Sequence, residues 1–174
     1  MLIKKLVKSL LLVICLCMAS NNALASNSSV QGKIKRLIKT TEERYGIPSG
    51  LLEAIAFVES GINNHAISVA GKPVIATNNK EALKVIADAQ ENGIRNIDVG
   101  VMQLNYRFHS KAFANIQEML NPKNNIEYAA KLLIRLKKQH GTWYAAICNY
   151  HSSKPDHQRK YSYKVVMKWG QKYA

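Results

Sequence analysis

Leu51-Leu52-Glu53-Ala54-Ile55-Ala56-Phe57-Val58-Glu59-Ser60-Gly61 is the stretch on which the fold turns. Read as a helix, it places Leu52, Ile55 and Ala56 seven, four and three residues before Glu59, on one face. Gly61 is a helix stop, so Glu59 falls in the last turn. A carboxylate in line with an apolar stripe is costly to ionise. The negative end of the helix dipole adds to that cost. An acid kept protonated near neutral pH is what general acid catalysis requires. Spacing alone also permits a second reading, in which Glu59 points sideways into solvent as an ordinary helix-end residue.

Helical periodicity surrounds this stretch. Val30, Ile34, Leu37, Ile38 and Tyr45 predict a helix from Val30 to Tyr45, closed by Gly46. Pro48-Ser49-Gly50 opens the helix that carries Glu59. Asn78 followed by Glu81 forms a capping box for a helix ending near Asn92-Gly93. Ser110 is expected to cap a helix through Leu120, and Asn121-Pro122 starts another that reaches Gly141. After Thr142, Trp143, Ala146, Ile147 and Tyr150 recur at i, i+3, i+4 and i+7, and a basic amphipathic helix covers Asp156 to Tyr173. Extended structure is confined to two short candidates, Val74-Ile75-Ala76 and Ile94 to Val99. The chain reads as mainly α, a single domain with a small β excursion around residues 69–99.

Residues 1–25 read as a signal peptide. Lys4, Lys5 and Lys8 precede the apolar run Leu10 to Met18, and Ala23-Leu24-Ala25 offers small residues for cleavage after Ala25. The run is too short to span a membrane comfortably. The mature domain, residues 26–174, is therefore expected in the periplasm with no integral membrane span. Cys15 and Cys17 leave with the leader, and Cys148 remains as a small buried hydrophobe with no disulfide partner. Stability must come from an apolar core, for which a domain of this size suffices. The leader carries three lysines and no acid, so the net charge falls from +14 to +11. An exported cationic domain suits an anionic partner at a surface, such as cell wall or lipid headgroups. Export argues against nucleic acid, and the basic residues are scattered as solvated helix faces would be.

Three segments look chemical: Val58 to Gly61, Asp98 to Asn105, and Ala145 to Ser152. In the second, Gly100 permits a tight backbone, and the Gln103 amide could grip a sugar hydroxyl or acetamido group or could simply form a surface turn. In the third, Tyr150 continues the apolar face of its helix, so its hydroxyl needs a partner. Glu59 is one candidate for that partner. The five histidines show no i,i+4 pairing and no cysteine at ligand spacing, so no metal and no cofactor is expected.

In order and spacing, these segments resemble the soluble lytic transglycosylase family, whose domain is lysozyme-like and mostly α-helical. The resemblance covers Tyr45 to Tyr163. Glu59-Ser60 matches the family's catalytic Glu-Ser pair, and Gly100-Val101-Met102-Gln103 its Gly-Leu-Met-Gln motif, with Val101 in place of leucine. Asn121-Pro122, Asn125-Ile126, Ala129-Ala130 and Leu133 match the helix that follows. The specialised members that accompany secretion, conjugation and pilus machines share the insertion between Ser68 and Asp98. Where the wider family has Tyr-Asn, this chain has Tyr150-His151, so the asparagine's role does not pass directly to His151.

The resemblance implies cleavage of the β-1,4 bond between N-acetylmuramic acid and N-acetylglucosamine in peptidoglycan. Glu59 would be the catalytic residue, with Ser60, Met102, Gln103, Tyr150 and His151 as substrate-binding residues. Glycosidases that work with two acids hold them at defined separations, whereas only Glu59 has an apolar helix-end setting here. A single-acid scheme that closes a 1,6-anhydro ring therefore fits. Two rivals stand beside it: a hydrolytic muramidase using Asp98 as second carboxylate, and a non-catalytic cationic wall-binding protein.

Overall fold

The structure, a computed structural model, describes residues 29–74, 76–152 and 154–171. The signal peptide expected over 1–25, and Ile75 of one strand candidate, lie outside the described residues. The chain divides into two units, Met1–Ile34 and Lys35–Ala174. The described residues of the first, 29–34, are helical. The sheet and the candidate site lie in the second.

In the second unit a helix over 35–45, α1, ends at Gly46 as the periodicity predicts. The next helix, α2, is Leu51–Ser60, and it buries Leu51, Leu52, Ala54, Ile55 and Ala56. Each leucine or isoleucine so buried contributes about 1.5–3 kcal/mol relative to exposure. Pro48 lies outside the helix, and Gly50, at a φ of 81°, supplies no side-chain cap. Glu42 of α1 takes that role. Its carboxylate, on a residue only 2% exposed, accepts from the backbone N–H groups of Gly50 (2.8 Å), Leu52 (2.8 Å) and Glu53 (3.2 Å). A negative charge there meets the positive end of the helix and otherwise unpaired donors. At the other end Gly61, at a φ of 64°, donates its N–H to the Phe57 carbonyl at 2.9 Å, a left-handed cap.

Four short strands follow: β1 Ile67–Val69, β2 Lys72–Val74, β3 Ile97–Val99 and β4 Leu104–Asn105. They form one antiparallel sheet in the order β2-β1-β3-β4. The sheet is wider than the expected 69–99, and its second strand is Lys72–Val74 rather than Val74 to Ala76. Ala70 and Gly71, with φ of 51° and 80°, reverse the chain immediately after Val69. Lys72 therefore pairs with Val69, and Val74 with Ile67. Helix α3, Asn79–Glu91, is inserted between β2 and β3. Its capping box forms with a shift: Asn78 accepts from Glu81 N at 3.0 Å, while Glu81 reaches back to Thr77 N at 2.8 Å.

The expected helix from Ser110 to Leu120 is broken. A short helix α4, Tyr106–His109, runs into a 3-10 turn at Ser110–Ala112, and Phe113 is extended. Asn115, not Ser110, caps α5, Ile116–Leu120, by accepting from Glu118 N at 2.9 Å. Helix α6, Pro122–His140, starts under an Asn121 cap, and α7, Trp143–His151, under a Thr142 cap. Helix α8 is Pro155–Gly170. It packs against both α2 and α7, and α7 packs in turn on α6. Cys148 is half-buried rather than buried. Among the described residues no helix is long and apolar enough to cross a membrane.

The Glu42 carboxylate ties α1 to the start of the helix that bears Glu59. Glu42→Ala is expected to lower unfolding stability by about 2 kcal/mol, and Glu42→Gln by less, since its amide oxygen still accepts. Urea unfolding followed by circular dichroism measures both.

Candidate active site

The backbone from Val99 to Gln103 belongs to no helix, and for most of its length to no strand, yet it is buried. Val99, Val101 and Met102 are all fully enclosed. Buried peptide groups must find hydrogen-bond partners, and here side chains from three helices supply them. From α6, Asn125 donates through Nδ2 to Val99 O at 3.0 Å and accepts through Oδ1 from Met102 N at 2.8 Å. From α2, Ser60 Oγ donates to Val101 O at 2.7 Å. From α7, Tyr150 Oη donates to Met102 O at 3.0 Å. Gln103, held at a φ of 45°, folds its own amide back, donating through Nε2 to Ala66 O and Gly100 O, both at 2.9 Å.

Two left-handed glycines flank the site, and one of them, Gly100, is a close approach. Gly100 has a φ of 77°, and a Cβ there would meet Asn125 Nδ2 at 3.0 Å. Gly61 supplies the turn after Glu59, and the following Ile62 is also left-handed at a φ of 62°. Ile62 and Gln103 are non-glycine residues in this region, and each costs about 1–2 kcal/mol of backbone strain. That strain sits within three residues of Glu59 on one side and in the Gly100 loop on the other.

Ser60 and Tyr150 each precede or follow a polar group that faces the other helix. Beside Ser60 stands Glu59, its side chain 9% exposed, and beside Tyr150 stands His151, its side chain 47% exposed. His151 Nδ1 lies 3.7 Å from Glu59 Oε1. The imidazole ring stacks on Tyr161 of α8, with centroids 4.6 Å apart and planes 11° apart. Attraction to the Glu59 carboxylate raises the pKa of His151 above its ordinary value, with Asp98 adding to it, while burial and Lys164 oppose the rise. Burial pushes the Tyr150 and Tyr161 hydroxyls well above the usual tyrosine range, and the nearby Glu59 charge pushes both further. The Tyr161 hydroxyl is enclosed and makes no hydrogen bond of good geometry among the described residues, although Glu59 acts on it.

Glu59 does continue the buried face of Leu52, Ile55 and Ala56, so the solvent-facing reading is excluded. Other expectations need correction. Met102 is fully buried, so its side chain belongs to the core and offers no surface to a substrate. The Tyr150 hydroxyl is given to the Met102 carbonyl and not to Glu59. Ser60 Oγ lies 2.7 Å from Val101 O and 3.1 Å from Ala56 O, which makes it a positioning group for the helix end. Gln103 has committed its amide donors to the loop. His151, left open by the sequence, is in direct contact with Glu59. Asp98 in β3 accepts from Asn105 Nδ2 at 2.8 Å and reaches the site through its charge on His151.

Two site residues were missed as such: Asn125 and Tyr161. Asn125 had a legible signal, a polar residue in line with the apolar Ala129 and Leu132 one and two turns on. Tyr161 sits one turn before Val165 on a buried face, which reads only as packing. Among the described residues no group of three or more His, Cys, Asp and Glu side chains is gathered as metal ligands would be.

A family model for the Transglycosylase SLT domain matches residues 36–167. Protein IpgF of Shigella flexneri is 35% identical over 123 residues, which cover 68% of this chain and 66% of that protein. Protein IpgF of Shigella sonnei matches to the same extent. The matched part is thus a little under two thirds of the length of these relatives. No solved structure matches the chain.

The side-chain clamp on Val99–Gln103 has a measurable worth. Gly100→Ala is expected to cost about 2 kcal/mol, through its left-handed φ and the approach to Asn125. Tyr150→Phe is expected to cost about 1 kcal/mol for the lost bond to Met102 O. Denaturant unfolding of each variant against the parent protein tests the pair.

Proposed function

The chain belongs to the Transglycosylase SLT domain family, with its mainly α, lysozyme-like fold, and from that premise we propose that it is a peptidoglycan lytic transglycosylase with Glu59 as its catalytic residue. The observation that carries this reading is the setting of Glu59. A carboxyl group closes the apolar face of a helix, almost enclosed, with Tyr150, His151 and Tyr161 around it.

Glu59 first gives its proton to the glycosidic oxygen as the bond from the anomeric carbon of N-acetylmuramic acid to that oxygen breaks. The acetamido group of the same sugar stabilises the anomeric carbon. Glu59, now a carboxylate, takes the proton of the sugar's 6-hydroxyl while that oxygen bonds to the anomeric carbon. A 1,6-anhydro ring results, the proton returns to Glu59, and no water is consumed. Enclosure of the acid favours this course because it keeps competing water from the anomeric centre. Gln103, its donors occupied, keeps Oε1 as an acceptor for a sugar hydroxyl. Ser60 and Tyr150 hold the helix ends that bring Glu59 and His151 to the substrate.

A signal peptide over 1–25 and one domain over 26–174 would place the enzyme in the periplasm, with glycan strands as its partner. The insertion between Ser68 and Asp98, folded as a hairpin followed by α3, supports service to a secretion, conjugation or pilus apparatus. One observation favours a hydrolytic second reading: Asp98 lies near enough to act on His151. A second carboxylate there would activate water.

Glu59→Gln is expected to lower the rate of sacculus clearing by at least about a hundredfold with unchanged melting behaviour. Loss of Glu59 without loss of function would instead leave a wall-binding scaffold. Mass spectra of the digested sacculi decide the reaction: 1,6-anhydromuramic ends support the transglycosylase, and reducing muramic ends alone would mean hydrolysis through Asp98.

A further inference from the structure

We infer that His151 is the ionic partner of Glu59, a positioning residue held flat against Tyr161 whose imidazolium meets the charge that Glu59 develops as it gives up its proton. The inference rests on the reading of Glu59 as the proton donor and adds to it a group that the wider family's tyrosine–asparagine pair does not provide. Three placements carry it. His151 Nδ1 stands 3.7 Å from Glu59 Oε1, beyond a good hydrogen bond but within ion-pair range. The ring is stacked on Tyr161 within 11° of parallel, which fixes the plane in which Nδ1 meets the carboxylate. Its side chain is 47% exposed, so the imidazole exchanges protons with solvent while Glu59, at 9%, is nearly enclosed.

Every element around the ring contributes a group that bears on its charge. Glu59 on α2 and Asp98 on β3 favour the imidazolium; Lys164 on α8 and partial burial oppose it. Tyr150 on α7 and Tyr161 on α8 have their hydroxyl pKa values pushed upward, so both stay neutral in the working range. The balance raises the His151 pKa above its ordinary value.

The chemistry balances without a further reactant. When the glycosidic bond breaks, the Glu59 proton goes to the leaving oxygen and a negative charge develops on the carboxylate. An imidazolium at 3.7 Å meets that charge as it forms. When the 6-hydroxyl oxygen closes on the anomeric carbon, its proton restores Glu59. The His151 proton stays where it is throughout.

His151→Asn is expected to lower the maximal rate of sacculus clearing about tenfold, because the developing carboxylate loses its counter-charge. A proton NMR titration provides a readout independent of turnover. The His151 imidazole, identified by its absence in His151→Asn, should titrate at lower pH in Glu59→Gln than in the parent protein. An unchanged maximal rate in a folded His151→Asn protein, or equal His151 midpoints with and without the Glu59 charge, overturns the inference. Should His151→Asn fail to fold, the titration of Glu59→Gln still decides. Absence of anhydromuramic products from the parent protein would instead sink the transglycosylase reading, and the titration would still report on the pairing.

Discussion

An irregular backbone can be buried only if something hydrogen-bonds it, and in this protein the segment from Val99 to Gln103 imposes that requirement on everything around it. Its peptide groups have no regular ladder to join beyond the end of β3. Asn125, Ser60 and Tyr150 answer from three different helices. Because Ser60 adjoins Glu59 and Tyr150 adjoins His151, satisfying the loop also sets the acid and its imidazole neighbour against one another. Packing and chemistry are thus the same constraint seen from two sides. A shift of α2 or α7 that separated Glu59 from His151 would also orphan a buried carbonyl.

The acid is positioned from both ends of its helix. At the start, the buried Glu42 carboxylate takes three backbone N–H groups. At the finish, Gly61 turns left-handed and Ser60 ties the last turn to the Gly100 loop. Tyr161 then supplies a flat support for His151 from α8, a helix that also packs on α2. The group with the greatest chemical demand therefore sits on a short, doubly anchored helix, with strained backbone at Ile62 and Gln103 beside it. Strain of that kind persists only where surrounding bonds over-determine the geometry.

Much of the fold was legible because its signals are local. The apolar spacing of α2, the glycines at 46, 61 and 141, and the caps at Asn78, Asn121 and Thr142 all act within about four residues of themselves. Where the reading slipped, a nearby residue carried an equal signal. Asn115 competed with Ser110 as a cap, and the turn at Ala70-Gly71 moved β2 two residues toward the N-terminus. The site was legible in its acid and in the Gly100 motif. Asn125 showed only as a polar residue on an apolar face, and Tyr161 not at all, because their work is done against residues far away in the chain. Met102 shows the opposite error, a motif residue whose place is the core.

The sequence by itself determined that Glu59 would end an apolar helix face, that glycine would follow it, and that a tight loop would form at Gly100. Periodicity, caps and backbone freedom act over a few residues and can be read from a few residues. Only the tertiary structure decided that Tyr150 bonds a backbone carbonyl instead of Glu59, that Glu42 is a buried cap, and that His151 comes to rest between Glu59 and Tyr161. Those outcomes depend on which helices meet and at what register. The need to pair each buried polar group in Val99–Gln103 chooses among the possible meetings.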